Sequence, residues 1–314
     1  MFQKSLALPE NFVRQIRETF QERGDAWLER LPTLLADCER RWNLTLLPAF
    51  PNLSFNYVAP VTLADGSPAV LKAGVPHKEL FSEMEALRLY DGRGSVRLLE
   101  ADSEQGIMIL ERLQPGTMLT GLADEAHDAQ ATSIAADVMR GLWRPVTDAE
   151  TMALFPTTGD WMQGLQKMRA HFGGGSGPFR AALMDEAEGL AKELLASQAA
   201  PVLLHGDLHH DNILASQRGG WLAIDPKGIL GEPAYEVGAL LRNFWQDRHM
   251  LSDLAQITEH RVYQLAEELN LDRARVRGWG VAQAVLSAWW GVEDGGEMGP
   301  ESMETAELIA AVKV

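Results

Sequence analysis

The chain has 314 residues, 46% of them hydrophobic and 23% charged, with a formal net charge of −16. This length can fill two lobes with ample core, and the composition is that of an ordinary soluble globular protein. Nucleic acids and anionic membranes call for basic surfaces, so the acidic balance argues against both as partners and is compatible with a cationic one. Cys38 is the only cysteine, so no intrachain disulfide can form, which fits a reducing compartment. The start MFQKSLALPENF lacks the apolar core of a signal peptide, and no run of about 18 apolar residues reads as a membrane span. A cytoplasmic location is the expectation.

Residues 9–43 read as two helices. Phe12, Val13, Ile16 and Phe20 recur at helical spacing, Gly24 breaks the pattern, and Trp27, Leu28, Leu31, Leu34 and Leu35 resume it, with Pro32 a candidate kink. The character changes after residue 43. Leu44–Phe50, Phe55–Val61 and Ala69–Ala73 read as strands joined by turns at 51–54 and 64–67. Ser54, Phe55 and Asn56 in the first turn could offer backbone N–H groups to an anion, although a structural hairpin would look the same. Lys72 lies on an otherwise apolar strand, Val70-Leu71-Lys72-Ala73, and must find an anion or reach solvent. A helix over 77–90 follows, with Leu80, Phe81, Met84 and Leu87 turned to the core. Of its acids, Glu83 is one helical step from Leu80 and Leu87 and is the preferred partner for Lys72, with Glu79 next. The run Asp91-Gly92-Arg93-Gly94-Ser95 follows a helix and precedes a strand, the wrong order for a dinucleotide fingerprint, and reads as structural. Strands at 96–100 and 107–110 then lead into Glu111-Arg112-Leu113. Met108 suits either a base pocket or an ordinary core. Pro115-Gly116 opens a mainly helical remainder, with helices over 123–143, 159–171 and 179–197 and a glycine-rich loop at 172–178 that lacks the Lys-Ser/Thr of a phosphate loop.

The stretch after Pro201 carries the chemistry. An apolar run, Val202-Leu203-Leu204, gives way to His205-Gly206-Asp207-Leu208-His209-His210-Asp211-Asn212; a second apolar run and a Gly-Gly turn lead to Trp221-Leu222-Ala223-Ile224 and then Asp225. This matches H-x-D-x-x-x-x-N followed by an acid at the end of the next hairpin, the pattern of a phosphoryl-transfer loop. One carboxylate must accept the proton of an attacking hydroxyl, and an amide with a second carboxylate must hold Mg²⁺ against nucleotide phosphates. Asp207 is assigned as the base and Asn212 and Asp225 as metal ligands, hard oxygen donors that suit Mg²⁺. The competing interpretation takes His205, His209, His210 and Asp211 as a transition-metal cluster, but it leaves Asn212 and Asp225 unexplained.

HGDLHHDN followed by IDPKGILGEPAYEVGALLRN resembles the aminoglycoside phosphotransferases, and within them the streptomycin 6-phosphotransferase and hydroxyurea-kinase branch. The resemblance extends to VLKAG, EMEALRLYDGRGSVRLLEAD and ILERLQPGTML, covering roughly residues 44–291. It implies an α+β, protein-kinase-like, two-lobed fold; with the N-terminal helices read above placed over 1–43, the expected division is a nucleotide-binding lobe over 44–113 and a catalytic and acceptor-binding lobe over 114–314. It also implies ATP and Mg²⁺ as cofactors and a small-molecule acceptor with a hydroxyl. Lys72 paired with Glu83 would orient the phosphates, the 54–56 turn would lie over them, and the backbone at Glu111 and Leu113 would meet the adenine edge. His205 would hold the loop backbone. Two departures separate the chain from protein kinases: Pro226-Lys227 stands where they carry Phe-Gly, and no G-x-G-x-x-G precedes the lysine strand.

Beyond Asp225, Gly228 and Gly231 allow sharp turns and Pro233 can start a helix in which Glu236 braces the catalytic loop. Residues 251–291 read as two helices. Five acids and no base lie between Gly291 and Ala306: Glu293, Asp294, Glu297, Glu301 and Glu304. They suit a solvated acidic tail or a face for a guanidinium-bearing sugar. A kinase for another acceptor (hydroxyurea, an amino alcohol or a sugar) and an ATP-binding regulatory module without transfer remain as alternatives; the second would lack the base or the metal ligands, and all are present.

Overall fold

The computed structural model describes residues 8–122, 124–243, 253–293 and 300–314. The chain forms two compact units, one of Met1–Gly92 with Val96–Leu113, the other of Arg93–Ser95 with Gln114–Val314.

The first unit opens with α1 (Glu10–Phe20) and α2 (Glu22–Trp42). The break between them falls at Gln21, whose φ of 51° lies in the left-handed region, and not at Gly24 as its glycine suggested. Gly24 sits inside α2 because that helix passes so near α1 that a Cβ there would come within 2.5 Å of the Ile16 carbonyl oxygen. Pro32 does not interrupt α2 either. An internal proline costs about 3 kcal/mol, and the burial of Trp27, Leu31, Leu34, Leu35 and Cys38 along the same helix offsets it. Five antiparallel strands follow: β1 (Thr45–Leu46), β2 (Tyr57–Thr62), β3 (Pro68–Ala73), β4 (Leu98–Asp102) and β5 (Ile107–Glu111), in the order β1-β2-β3-β5-β4. Side chains alternate across a strand. Leu71 and Ala73 join Phe12, Ile16, Trp27 and Leu31 in one core, while Lys72 between them faces the other way, toward α3 (Lys78–Tyr90). Leu80, Met84 and Leu87 of α3 are buried, but Phe81 is 39% exposed. It lies off their i, i+4, i+7 line.

The second unit adds two small antiparallel sheets to a helical body. β6 (Pro115–Met118) pairs with β9 (Ile213–Ser216), which pairs with β10 (Gly220–Ala223); β7 (Arg144–Pro145) pairs with β8 (Val202–Leu204), which pairs with β11 (Ile229–Gly231). Gly231 is therefore a strand residue and not a turn. It faces Thr158, whose Cγ2 would lie 2.2 Å from a Cβ there. The helices are α4 (Asp128–Leu142), α5 (Ala149–Met152), α6 (Thr158–His171), α7 (Ala181–Ala196), α8 (Pro233–Arg242), α9 (Leu254–Leu269), α10 (Arg273–Glu293) and α11 (Pro300–Ala311). Every residue of α10 from Gly278 to Leu286 is buried, with Gln283 the one polar side chain among them, so this helix runs through the core of the unit. A forked ion pair ties α9 to α4: Arg261 Nη2 donates to Asp128 Oδ1 at 2.6 Å and Nε reaches the same carboxylate at 3.0 and 3.3 Å.

Candidate active site

In the first unit Lys72 Nζ lies 2.6 Å from Glu83 Oε1, and both side chains are more than 90% buried. Val58 and Met108 are its cross-strand neighbours, and Met108 is fully buried. Ser54 and Phe55 are exposed in the loop before β2, and Asn56 packs its amide oxygen against Gly74, where a Cβ would be 2.2 Å away. Glu111 ends β5 and its Oε2 accepts the Arg97 N–H at 3.2 Å; Leu113 is buried two residues on.

In the second unit β8 delivers His205, and the chain turns at Gly206. There φ is +86°, a value L side chains rarely adopt, and an added Cβ would lie 3.0 Å from Ile229 Cγ2. The His205 ring is wholly buried. Its Nε2 lies 2.7 Å from the Ile224 carbonyl, which can only accept, so Nε2 carries the proton and Nδ1 accepts the Asp207 N–H at 3.2 Å. Burial pushes its pKa down to about 4, so the ring is neutral. Both ring nitrogens are therefore engaged in holding the loop. Among the described residues, no group of three or more His, Cys, Asp and Glu is arranged around a common metal position, so the histidine-cluster interpretation of this loop is set aside.

Glu236, in the first turn of α8, meets the same loop from below. Its Oε2 accepts the His205 N–H at 2.7 Å and its Oε1 the Gly206 N–H at 2.9 Å. Burial raises its pKa to about 7 despite those two donors. Asp207 follows. Its Oδ1 accepts from Arg242 Nη2 at 2.6 Å, and its Oδ2 lies 3.9 Å from His209 Nε2. Burial acts to raise the Asp207 carboxyl, but the Arg242 guanidinium, with His209, Lys227 and His205, outweighs it and holds the pKa below the ordinary carboxylate value.

Asn212 closes the short 3₁₀ turn His210–Asn212. Its Nδ2 donates to the Asp207 carbonyl at 2.9 Å, which leaves its amide oxygen as the acceptor end. Its own carbonyl accepts the Ile224 N–H at 2.9 Å. Ile224 thus touches both His205 and Asn212, and Asp225, exposed and with φ of +57°, comes directly after it. The amide oxygen of Asn212 and the carboxylate of Asp225 are hard donors. Together they fit Mg²⁺, which takes one or two protein side chains, substrate phosphates and water.

The sequence had shown no role for Arg242. It is the last residue of α8, after a run from Ala234 to Leu241 that is buried throughout. A cation ending such a run has to be paired, and that is the signal that could have marked it. Of the acidic C-terminal residues, Glu293 pairs with Lys167 at 3.4 Å; Asp294 and Glu297 lie outside the described residues.

The chain matches the family model of aminoglycoside/hydroxyurea antibiotic resistance kinases over residues 41–295. It is 31% identical to a streptomycin 6-kinase of Streptomyces glaucescens over 98% of both chains. It is 37% identical to a hydroxyurea phosphotransferase of Kitasatospora aureofaciens over 91% of this chain and 81% of that one. Among solved structures it resembles an aminoglycoside phosphotransferase crystallised with ADP and hygromycin B, with a TM-score of 0.61 at 14% identity over 88% and 96% of the two chains. It also resembles a choline kinase from Streptococcus pneumoniae, with a TM-score of 0.59 at 13% identity over 90% and 98%. These last two likenesses establish a protein-kinase-like fold, to which the antiparallel sheet of the first unit and the mainly helical second unit conform. By sequence and by fold, the chain belongs to the aminoglycoside/hydroxyurea antibiotic resistance kinase family.

Proposed function

We propose that this protein transfers the γ-phosphate of ATP to a hydroxyl of an aminoglycoside, with streptomycin the first acceptor to test. The observation that carries this reading is the way three polar groups are tied to one loop. Asn212 is bonded to Asp207, Ile224 to both Asn212 and His205, and Asp225 follows Ile224. Magnesium-bound ATP would supply the phosphoryl group, with Asn212 and Asp225 as the side chains that hold the metal. Asp207 takes the proton of the attacking hydroxyl and aims its oxygen. His205 and Glu236 keep the loop backbone in place, and Lys72, set by Glu83, neutralises phosphate charge. Ser54, Phe55 and Asn56 and the backbone at Glu111 and Leu113 serve the nucleotide. Among the described residues no helix is long and apolar enough to cross a membrane, and the cytoplasm, where ATP is abundant, is the proposed location.

The end-to-end match to streptomycin 6-kinases favours an aminoglycoside. A second reading, hydroxyurea as acceptor, draws on the 37% identity to the hydroxyurea phosphotransferase. Release of ADP by the purified protein with magnesium and ATP, against streptomycin, other aminoglycosides, hydroxyurea and amino alcohols, separates them. Turnover and a phosphorylated product with streptomycin are expected. Turnover with hydroxyurea alone would move the assignment to the second reading, and silence across the panel would remove both antibiotics as acceptors.

A further inference from the structure

We propose that Arg242 is a positioning residue for the transfer: it clamps Oδ1 of Asp207 and thereby presents Oδ2 to the acceptor hydroxyl. The inference rests on Asp207 being the group that receives the acceptor proton. α8 grips the catalytic loop twice, at its backbone through Glu236 and at its carboxylate through Arg242. The guanidinium is itself fixed from three sides. Nη2 is on Asp207 at 2.6 Å, Nη1 is on Ser287 Oγ at 3.1 Å, and the plane lies over the Trp290 ring at 5.6 Å. Trp290 is braced edge-on by Trp161 at 5.4 Å. The side chain is only 10% exposed, so this geometry is held by packing.

The residue type fits the task. Among the described residues Arg242 Nε is buried without a hydrogen-bond partner, and an unmet buried donor is unfavourable. A lysine would bring the charge without that orphan but not the two outer nitrogens that reach Asp207 and Ser287 in one plane. Among the described residues, the other groups around Asp207 are His205, His209, Lys227, Tyr235 and Glu236. His209, at 3.9 Å from Oδ2, is beyond hydrogen-bond range, so Oδ2 is the oxygen left toward an incoming hydroxyl.

The test is steady-state turnover with magnesium, ATP and streptomycin, and acceptor-free ATP hydrolysis in parallel, for Arg242→Ala and Arg242→Lys in both the wild-type and the Asp207→Asn backgrounds. Arg242→Ala should lower kcat about 100-fold, the loss that a misplacement of about 1 Å brings, with KM for ATP within about twofold. Arg242→Lys should retain about tenfold more activity than Arg242→Ala, because it keeps the charge but not the fork. In the Asp207→Asn background the arginine change should have no further effect, since two residues acting through one contact are not additive. An equal loss in both backgrounds, an unchanged kcat, or a loss confined to KM for ATP would overturn the proposal. Should Arg242→Ala fail to fold, Arg242→Lys is read alone: about a tenfold loss of kcat at unchanged KM for ATP supports the proposal, and wild-type kcat or a loss in KM contradicts it. If the wild-type protein leaves streptomycin untouched, the acceptor reading fails separately, and the same cycle is read on ATP hydrolysis, with water as the acceptor.

Discussion

Lys72–Glu83 in the first unit and Arg261–Asp128 in the second are ion pairs of the same length, 2.6 Å, and both are almost wholly buried. Distance and burial do not tell them apart. The donors do. Arg261 lays its fork across one carboxylate and joins helix to helix, a geometry that fixes packing. Lys72 brings a compact ammonium to Glu83 from the face of β3 opposite the one that Ala69, Leu71 and Ala73 give to the core. The first arrangement builds a lobe; the second is the one we propose serves the phosphates of a nucleotide. Glu236 is a third buried carboxylate, and it is held by two backbone N–H groups of the catalytic loop.

Three changes would break or sharpen this contrast. Arg261→Met should have the largest effect, about 3–5 kcal/mol of unfolding free energy, because it leaves Asp128 buried and unpaired. Its folded fraction should show an unchanged KM for ATP. Denaturant titration and kinetics read the two quantities separately, and a selective loss of ATP affinity would move Arg261 into the site.

Glu236 should give the next largest effect, as a dependence of stability on pH. Its folded pKa is raised from 4.5 to about 7, so between those values the folded chain binds more protons than the unfolded one. Its contribution is then complete below about pH 4.5 and is lost as pH rises through about 7, on the order of 3 kcal/mol in all. Comparing unfolding free energies of wild type and Glu236→Gln from pH 5 to 8 isolates it. Parallel curves would show that Glu236 does not titrate in this range.

Lys72→Arg keeps the charge and replaces the ammonium by a wider fork. It should lower kcat/KM for ATP about tenfold to a hundredfold, with a thermal midpoint within a few degrees of wild type. Comparable losses in stability and turnover would reduce Lys72 to a structural cation like Arg261.

How much of this was legible in the sequence follows the range of each interaction. The polar loop from His205 to Asn212 and the acid after the hairpin were readable because the chemistry demands set residue types at short spacing. The Lys72 strand and the Glu83 helix were readable from their apolar periods. Arg242 was not, because its partner lies 35 residues away: the buried run ahead of it marks a cation that needs a partner, but nothing in the sequence says which. β6, β7 and β11 have two to four residues each and are defined by distant partners, so no alternation could announce them. The misplaced break at Gly24 has a related cause: the glycine answers to the approach of a neighbouring helix, a demand that lies outside its own segment.

The central claim is that Asp207 carries the chemistry while Asn212 and Asp225 hold the metal-bound nucleotide. Single-turnover ATP consumption by Asp207→Ala, with ATP affinity measured in the same magnesium buffer, tests it most directly. Transfer should fall by about 10²–10⁴-fold, the range for loss of a positioned acid–base group, while ATP binds as tightly as to wild type. Near-normal transfer, or ATP affinity lost together with turnover, would contradict the account.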